Sequence, residues 1–246
     1  MSLFLLAPCN DNGGDSTHEA ISQSLNSPDR LEQDLDKDAQ RRPDVVLAFY
    51  EIEPGLTVLD LFSGGGYYTE IVSRIVGPEG KVVAHNNDAY IAYEKDQIAL
   101  RFTNNRLANV KRISEEADDL ELAEATFDAA LAMLTWHDFY YLDEENGWPA
   151  IDQKALIAEL CKALKPGAVL GISDHVATEG TDPKESGQYL HRIDPQRIKS
   201  DLSDSCFTFE GESSILRNPE DDHGKPMFAE GIRGQTDRVV YKFRRR

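Results

Sequence analysis

Cysteine is scarce in this 246-residue chain: Cys9, Cys161 and Cys206 are all there is, and their spacing matches no zinc-ligand pattern. A count of three argues against a disulfide framework, so Cys161 and Cys206 are expected to act as small core residues. Basic residues are outnumbered, 26 against 44 acidic ones, which leaves a formal charge of -18. Such a field repels phosphate backbones, making nucleic acid a poor partner, and the terminal Arg244, Arg245 and Arg246 read as a solvated tail. No apolar run approaches the roughly 20 residues needed to cross a bilayer, so no transmembrane segment is expected. What the chain does have is 40% apolar residues, enough for one sizeable core.

Residues 3–9 resemble the end of a bacterial lipoprotein signal peptide, in which Cys9 would accept the lipid anchor. The basic front end of such a signal is missing, and Pro8 stands where a small residue is usual. A trimmed export signal and a disordered terminus both stay open, and with them a cell-envelope or periplasmic location as against a cytoplasmic one. Residues 10–26 are polar and rich in Gly, Asn, Asp and Ser, so 1–26 is expected to be a disordered leader and linker, with the folded domain spanning 27–246. Ser27, Pro28 and Asp29 predict a helix start, running to about Gln40, and Arg42, Pro43 and Asp44 restart a helix that Pro54 and Gly55 end.

Beyond this point apolar runs of strand length at 57–61, 81–84, 110–113, 127–134 and 168–173 alternate with stretches of helical periodicity. Tyr68, Ile71, Val72 and Ile75 make one apolar helix face, and Leu156, Ile157, Leu160 and Leu164 make another. That alternation predicts a mostly parallel α/β sheet, closed by two later β-rich runs at 206–209 and 239–243.

The strongest signal follows the first strand, where Asp60, Leu61, Phe62, Ser63, Gly64, Gly65 and Gly66 open into a helix. Glycines let backbone amides approach a ligand, a helix N-terminus adds donors and a favourable dipole, and ligands in open α/β sheets sit beyond the carboxyl ends of strands. A ligand-free flexible turn is the plainer reading of the same glycines.

This turn, the second strand, the Phe127-Asp128 opening of the fourth and the Leu164-Lys165-Pro166-Gly167 stretch resemble the class I S-adenosylmethionine-dependent methyltransferases over about residues 43–175. Gly66-Tyr67-Tyr68-Thr69, Leu134-Thr135-Trp136-His137-Asp138 and Gly234-Gln235-Thr236-Asp237-Arg238 extend the resemblance to a group of bacterial predicted methyltransferases of unassigned substrate. The resemblance implies a Rossmann-like fold, with a mostly parallel seven-stranded sheet, helices on both faces and an antiparallel C-terminal strand. It also implies S-adenosyl-L-methionine as cofactor, with S-adenosyl-L-homocysteine as product, and a small-molecule acceptor.

Carried over by position, Asp60, Gly64, Gly65, Gly66 and Tyr68 belong to the methionine end of the cofactor site, and Phe62 packs beneath the cofactor or fills core. Asn86 stands where the family has a ribose-binding acid. Glu116 and Ala117 fall on the adenine loop, and Leu134 falls on the wall after the fourth strand. For Asp60 the alternative is a cap of the turn, and for Glu116 a surface carboxylate.

His137 and Asp138 follow the fourth strand and Asp174 and His175 the fifth, which should bring all four to one rim, where an acceptor needs orientation and deprotonation. His137 and Asp138 are the catalytic candidates; Asp174, His175, His191 and Arg192 are candidates for substrate contact. The same groups could hold a divalent ion, or the histidines could be satisfied structural donors; with no short metal-binding motif in the chain, no metal ligand is assigned. Two other functions fit the turn. A non-catalytic S-adenosylmethionine-binding or regulatory protein would keep the fold. A nicotinamide-dependent oxidoreductase would need a third glycine where Thr69 stands.

Overall fold

The computed structural model describes residues 13–246, so the lipid-anchor reading of Cys9 lies outside the described residues. The sheet has seven strands: β1 (Thr57–Leu61), β2 (Lys81–Asn86), β3 (Val110–Ser114), β4 (Phe127–Met133), β5 (Leu164–His175), β6 (Phe207–Glu212) and β7 (Arg238–Arg245). Their spatial order is β3-β2-β1-β4-β5-β7-β6. β1 to β5 pair in parallel, and β7 runs antiparallel between β5 and β6. This is the Rossmann-like arrangement that the sequence predicts. The order reverses at β1, between β2 and β4, which leaves a crevice beyond the carboxyl end of that strand.

Side chains alternate across the sheet, as a period of two requires, apart from register shifts at Phe127/Ala129 and Phe209/Gly211. On one face Leu59 and Leu61 of β1, Ala130 and Ala132 of β4 and Leu170 and Ile172 of β5 share a core with Leu156 and Leu160. Those last two lie on α7 (Gln153–Ala163). On the other face Val58, Leu131 and Val169 meet Ile21, Leu47, Ile71 and Ile75. Ile21 belongs to α1 (Gly13–Leu25), Leu47 to α3 (Pro43–Phe49), and Ile71 and Ile75 to α4 (Tyr67–Val76).

Three expectations need correction. Residues 13–25 are not linker but helix α1. Thr17, Ile21 and Ser24 recur at helical spacing and are buried, and the Ser24 hydroxyl donates to the Ile71 carbonyl. Polar composition hid this helix, because docking on α4 takes one narrow face and leaves the rest to solvent. The second helix, α2 (Glu32–Arg41), begins after Leu31 and not at Ser27, since 27–30 form a turn closed by the Arg30 amide on the Ser27 carbonyl. Cys161, on α7, and Cys206, just before β6, form a disulfide with Cα atoms 5.8 Å apart, so they are not free core thiols. The odd count misled because a pair remains once Cys9 is set aside. No helix of the described residues is long and apolar enough to cross a membrane.

Candidate active site

The turn after β1 is held open by its neighbour strand. Phe62 and Gly64 both have left-handed φ, +49° and +55°, so the chain doubles back immediately after Leu61. The Ser63 amide donates to the His85 carbonyl at 2.8 Å. Asn86 closes a two-way clamp: its Oδ1 accepts from the Gly64 amide at 2.9 Å and its Nδ2 donates to the Gly64 carbonyl at 3.0 Å. The His85 ring is buried, accepting from the Phe62 amide and contacting the Glu115 carbonyl at 2.9 Å, and burial pushes its pKa down to about 4. A neutral ring is therefore part of the turn at ordinary pH.

Behind the turn lie two further helices, α5 (Asp88–Tyr93) and α6 (Lys95–Arg101). Arg101 is fully buried, ion-paired with Asp34 of α2 and Glu70 of α4 and donating to the Gly65 carbonyl. A Cβ on Gly66, whose φ is +80°, would come within 2.7 Å of the Arg101 side chain, so glycine is required there for close approach as well as for conformation.

In front of the turn is a cavity of about 440 Å³, walled by Ser63, Gly64 and Gly65 on one side and by His137, Asp138, His175 and His191 on another. Tyr90, Tyr93, Tyr141, Trp148 and Phe228 form an aromatic sleeve between them. A second hollow of about 310 Å³, between the ends of β2 and β3, shares Ser63 and is lined by Asn86, Ile113 and Ser114. Together they have the size of a site for a nucleoside-bearing ligand and an acceptor. Two buried polar atoms on residues of the cavity wall, Thr135 Oγ1 and His175 Nε2, have no partner among the described residues, as expected where a ligand belongs.

The histidine side is ordered from behind. Asp174, wholly buried, accepts the His137 backbone amide on one oxygen, while its other oxygen accepts from the His175 amide and meets His137 Nδ1 at 2.7 Å. That pairing turns His137 Nε2 to within 3.3 Å of Asp138 Oδ1. Burial opposes charge on His137, but the carboxylates of Asp138 and Asp174 prevail and push its pKa up to about 9. Burial likewise opposes ionisation of Asp138, and His137, with the nearby His191 and the hydrogen bond from the Tyr90 hydroxyl, holds it below the usual carboxylate range. His175 is held neutral by burial and by the nearby positive charges, with Nδ1 2.6 Å from Thr236 Oγ1. Three wall residues, Phe62, Leu134 and His191, adopt left-handed φ without being glycine, +49°, +65° and +49°, a strain that accumulates at functional sites.

Of the residues singled out in the sequence, Phe62, Gly64, Gly65, Leu134, His137, Asp138, His175 and His191 line this one cavity. Phe62 is both wall and core, its ring 4.7 Å from His85 and 5.8 Å from Phe139. The others stand behind the wall. Asp60 lies on the opposite face of β1, where it accepts from Thr69 Oγ1 at the start of α4. Tyr68 is core, and Gly66 is covered by Arg101. Asn86 lines the second hollow, with one hydrogen bond on each of its polar atoms going to Gly64. Glu116 accepts the Asp88 amide, and Ala117 is buried in a 3-10 turn, neither on a cavity wall. Asp174 positions His137 and does not face the cavity. Arg192 is fully buried off the cavity wall, its guanidinium bonded to Asp221 and to the Val176 and Lys225 carbonyls. Arg101, Tyr90, Trp148 and Phe228 were missed, since nothing in their local sequence distinguishes them from ordinary helix and loop residues.

Residues 52–230 match the model of a family described as a methyltransferase domain, well over half of the chain. Among curated proteins, a ubiquinone/menaquinone biosynthesis C-methyltransferase of Marinomonas sp. is 26% identical over 73% of this chain and 66% of its own length. Its counterpart in Idiomarina loihiensis is 36% identical over 31% of this chain and 30% of its own. The chain thus spans less than two thirds of the curated relatives it matches. A solved S-adenosylmethionine-dependent methyltransferase from Aquifex aeolicus superposes with a TM-score of 0.57 at 20% identity, covering 92% of this chain and 97% of that one, a likeness of fold. By its family model the chain belongs to the methyltransferase-domain family, and its fold is like that of S-adenosylmethionine-dependent methyltransferases.

Proposed function

We propose that the protein methylates a small hydroxylated aromatic acceptor at an oxygen, or at a carbon beside it, within the 440 Å³ cavity. The observation that supports this most is the meeting, on that wall, of a charged histidine and an ionised aspartate facing the glycine turn across an aromatic sleeve. S-adenosylmethionine, when bound, supplies an electrophilic methyl on sulfur and leaves as S-adenosylhomocysteine. The Gly65 amide, left over once His85 and Asn86 have engaged those of Ser63 and Gly64, would hold its amino-acid end, and the hollow beside Ser63 would take the nucleoside. Tyr90, Tyr141 and Trp148 stack on a planar acceptor and exclude water. Asp138 accepts the acceptor's proton, and His137, fixed by Asp174, steadies the resulting oxyanion. A quinone-related ring is an acceptor of this class, and the curated relatives are named for carbon methylation in quinone biosynthesis. The disulfide further favours an oxidising compartment, and so export.

Calorimetry with S-adenosylhomocysteine and NAD, followed by a panel of hydroxylated aromatics with labelled cofactor, tests this. S-adenosylhomocysteine should bind and NAD should not. Asp174→Asn should leave cofactor affinity within about twofold while lowering turnover by on the order of 100-fold. Cofactor binding without turnover on any acceptor would turn the assignment to a non-catalytic binding protein.

A further inference from the structure

We infer that His137, Asp138 and His191 form a site for one first-row divalent cation, on the wall that faces the methyl acceptor. The donor atoms of the three all lie within 4.8 Å of one another. Asp138 Oδ1 is 3.3 Å from His137 Nε2 and 3.7 Å from His191 Nδ1. Ligand atoms about 2.1 Å from a shared ion sit roughly 3–3.5 Å apart, so these two separations are close to the edges of a coordination shell. Two imidazoles and one carboxylate on one side of an ion, with the remaining positions open, form a set suited to zinc, iron(II) or manganese(II) rather than to magnesium or calcium.

Each donor is oriented from behind, as metal ligands are. Asp174 engages His137 at Nδ1 and leaves Nε2 for an ion. The Tyr90 hydroxyl donates to Asp138 Oδ2 and leaves Oδ1. Tyr141 lies tilted at 31° against the His191 ring, 5.1 Å away, and Phe228 meets it edge-on at 5.0 Å. A second, independent observation points to a ligand here. His175 Nε2 is buried on the same wall with no hydrogen-bond partner among the described residues, and its ring centre is 6.0 Å from that of His137. A hydrogen-bonded cluster complete in itself would leave no such nitrogen stranded; an ion or its bound water gives it one.

With the ion bound, His137 gives up its Nε2 proton and the ion replaces the free His137–Asp138 pair: its open positions face the cavity, where it binds the acceptor's oxygen and favours its deprotonated form. That role rests on the methyltransferase reading; the existence of the site does not. The test uses untagged full-length protein stripped with chelator and titrated with Co²⁺, read by visible ligand-field absorption, with S-adenosylhomocysteine binding followed by calorimetry in parallel. Co²⁺ should saturate at one equivalent and be displaced by Zn²⁺ but not by Mg²⁺. His191→Ala and Asp138→Asn should weaken it by about 10- to 100-fold, with circular dichroism checking the fold, while His223→Ala, outside the cavity, should bind as the parent does. No saturable absorption up to millimolar Co²⁺, or unchanged binding in His191→Ala, overturns the site. Should S-adenosylhomocysteine bind where Co²⁺ does not, the ion site falls and the methyltransferase stands; the reverse result keeps the ion site and removes its assigned role.

Discussion

Asp60 carries a cost that the folded chain bears at neutral pH. Its carboxylate is buried beneath the turn, and although Thr69 and the charge of Arg101 favour ionisation, burial dominates and pushes its pKa up to about 6 from an ordinary 3.8. Between those values the folded protein keeps a proton that the unfolded chain has released, so stability falls as pH rises from about 4 to 6 and stays lowered above that. A shift of this size corresponds to about 3 kcal/mol. Urea unfolding of Asp60→Asn against the parent should therefore show the variant gaining about that much relative stability between pH 4 and pH 7. A difference that stays constant with pH would mean that Asp60 titrates normally. The same variant speaks to the role carried over from the family, because a positively charged ligand beyond the turn is the natural relief for a buried anion. Asp60 is thus better placed to act through the field at the turn than by direct contact.

At the scale of elements, the site is a product of strand ends. β1 brings the glycine turn, β4 brings Leu134 and the 3-10 turn Trp136–Tyr140 with His137 and Asp138, and β5 brings Asp174 and His175. The pairing of Met133 with Ser173 brings the last two groups alongside. His191 arrives from α8 (Pro183–Leu190), whose C-terminal cap it forms. Helix α1 supports the turn indirectly by packing on α4, which starts at the turn. Ile21→Ala should lower unfolding stability by about 2–5 kcal/mol, whereas Gln23→Ala, on the exposed face of the same helix, should stay within about 0.5 kcal/mol. Equal and negligible effects in denaturant titration would restore the linker reading of this segment.

For the molecule as a whole, the disulfide is the long-range tie. It spans 45 residues, a segment holding β5, α8 and α9 (Pro195–Leu202) and therefore His175 and His191. Closing a loop of that length is worth about 3–4 kcal/mol in chain entropy. Replacing both cysteines by serine should lower Tm by roughly 6–12 °C. Protein recovered from its native compartment should also show no free thiol at Cys161 or Cys206, and free thiols there would refute export. The charge of -18 acts at the same scale, as a field that opposes the approach of polyanions.

Sheet class, strand positions, the glycine turn and the His137-Asp138 pair were readable along the chain, because periodicity and turn chemistry depend on residues a few places apart. The clamp of Asn86 on Gly64, 22 residues away, was not, and neither was Arg101 beneath Gly65, 36 residues away. His191 was only a candidate until folding set it beside Asp138, and Arg192 next to it carried the same promise and turned out to be structural. The cysteine pair and the docked face of α1 belong with these. In each case the deciding interaction joins segments that are strangers in sequence, so it exists only once the crossovers have laid the strands side by side.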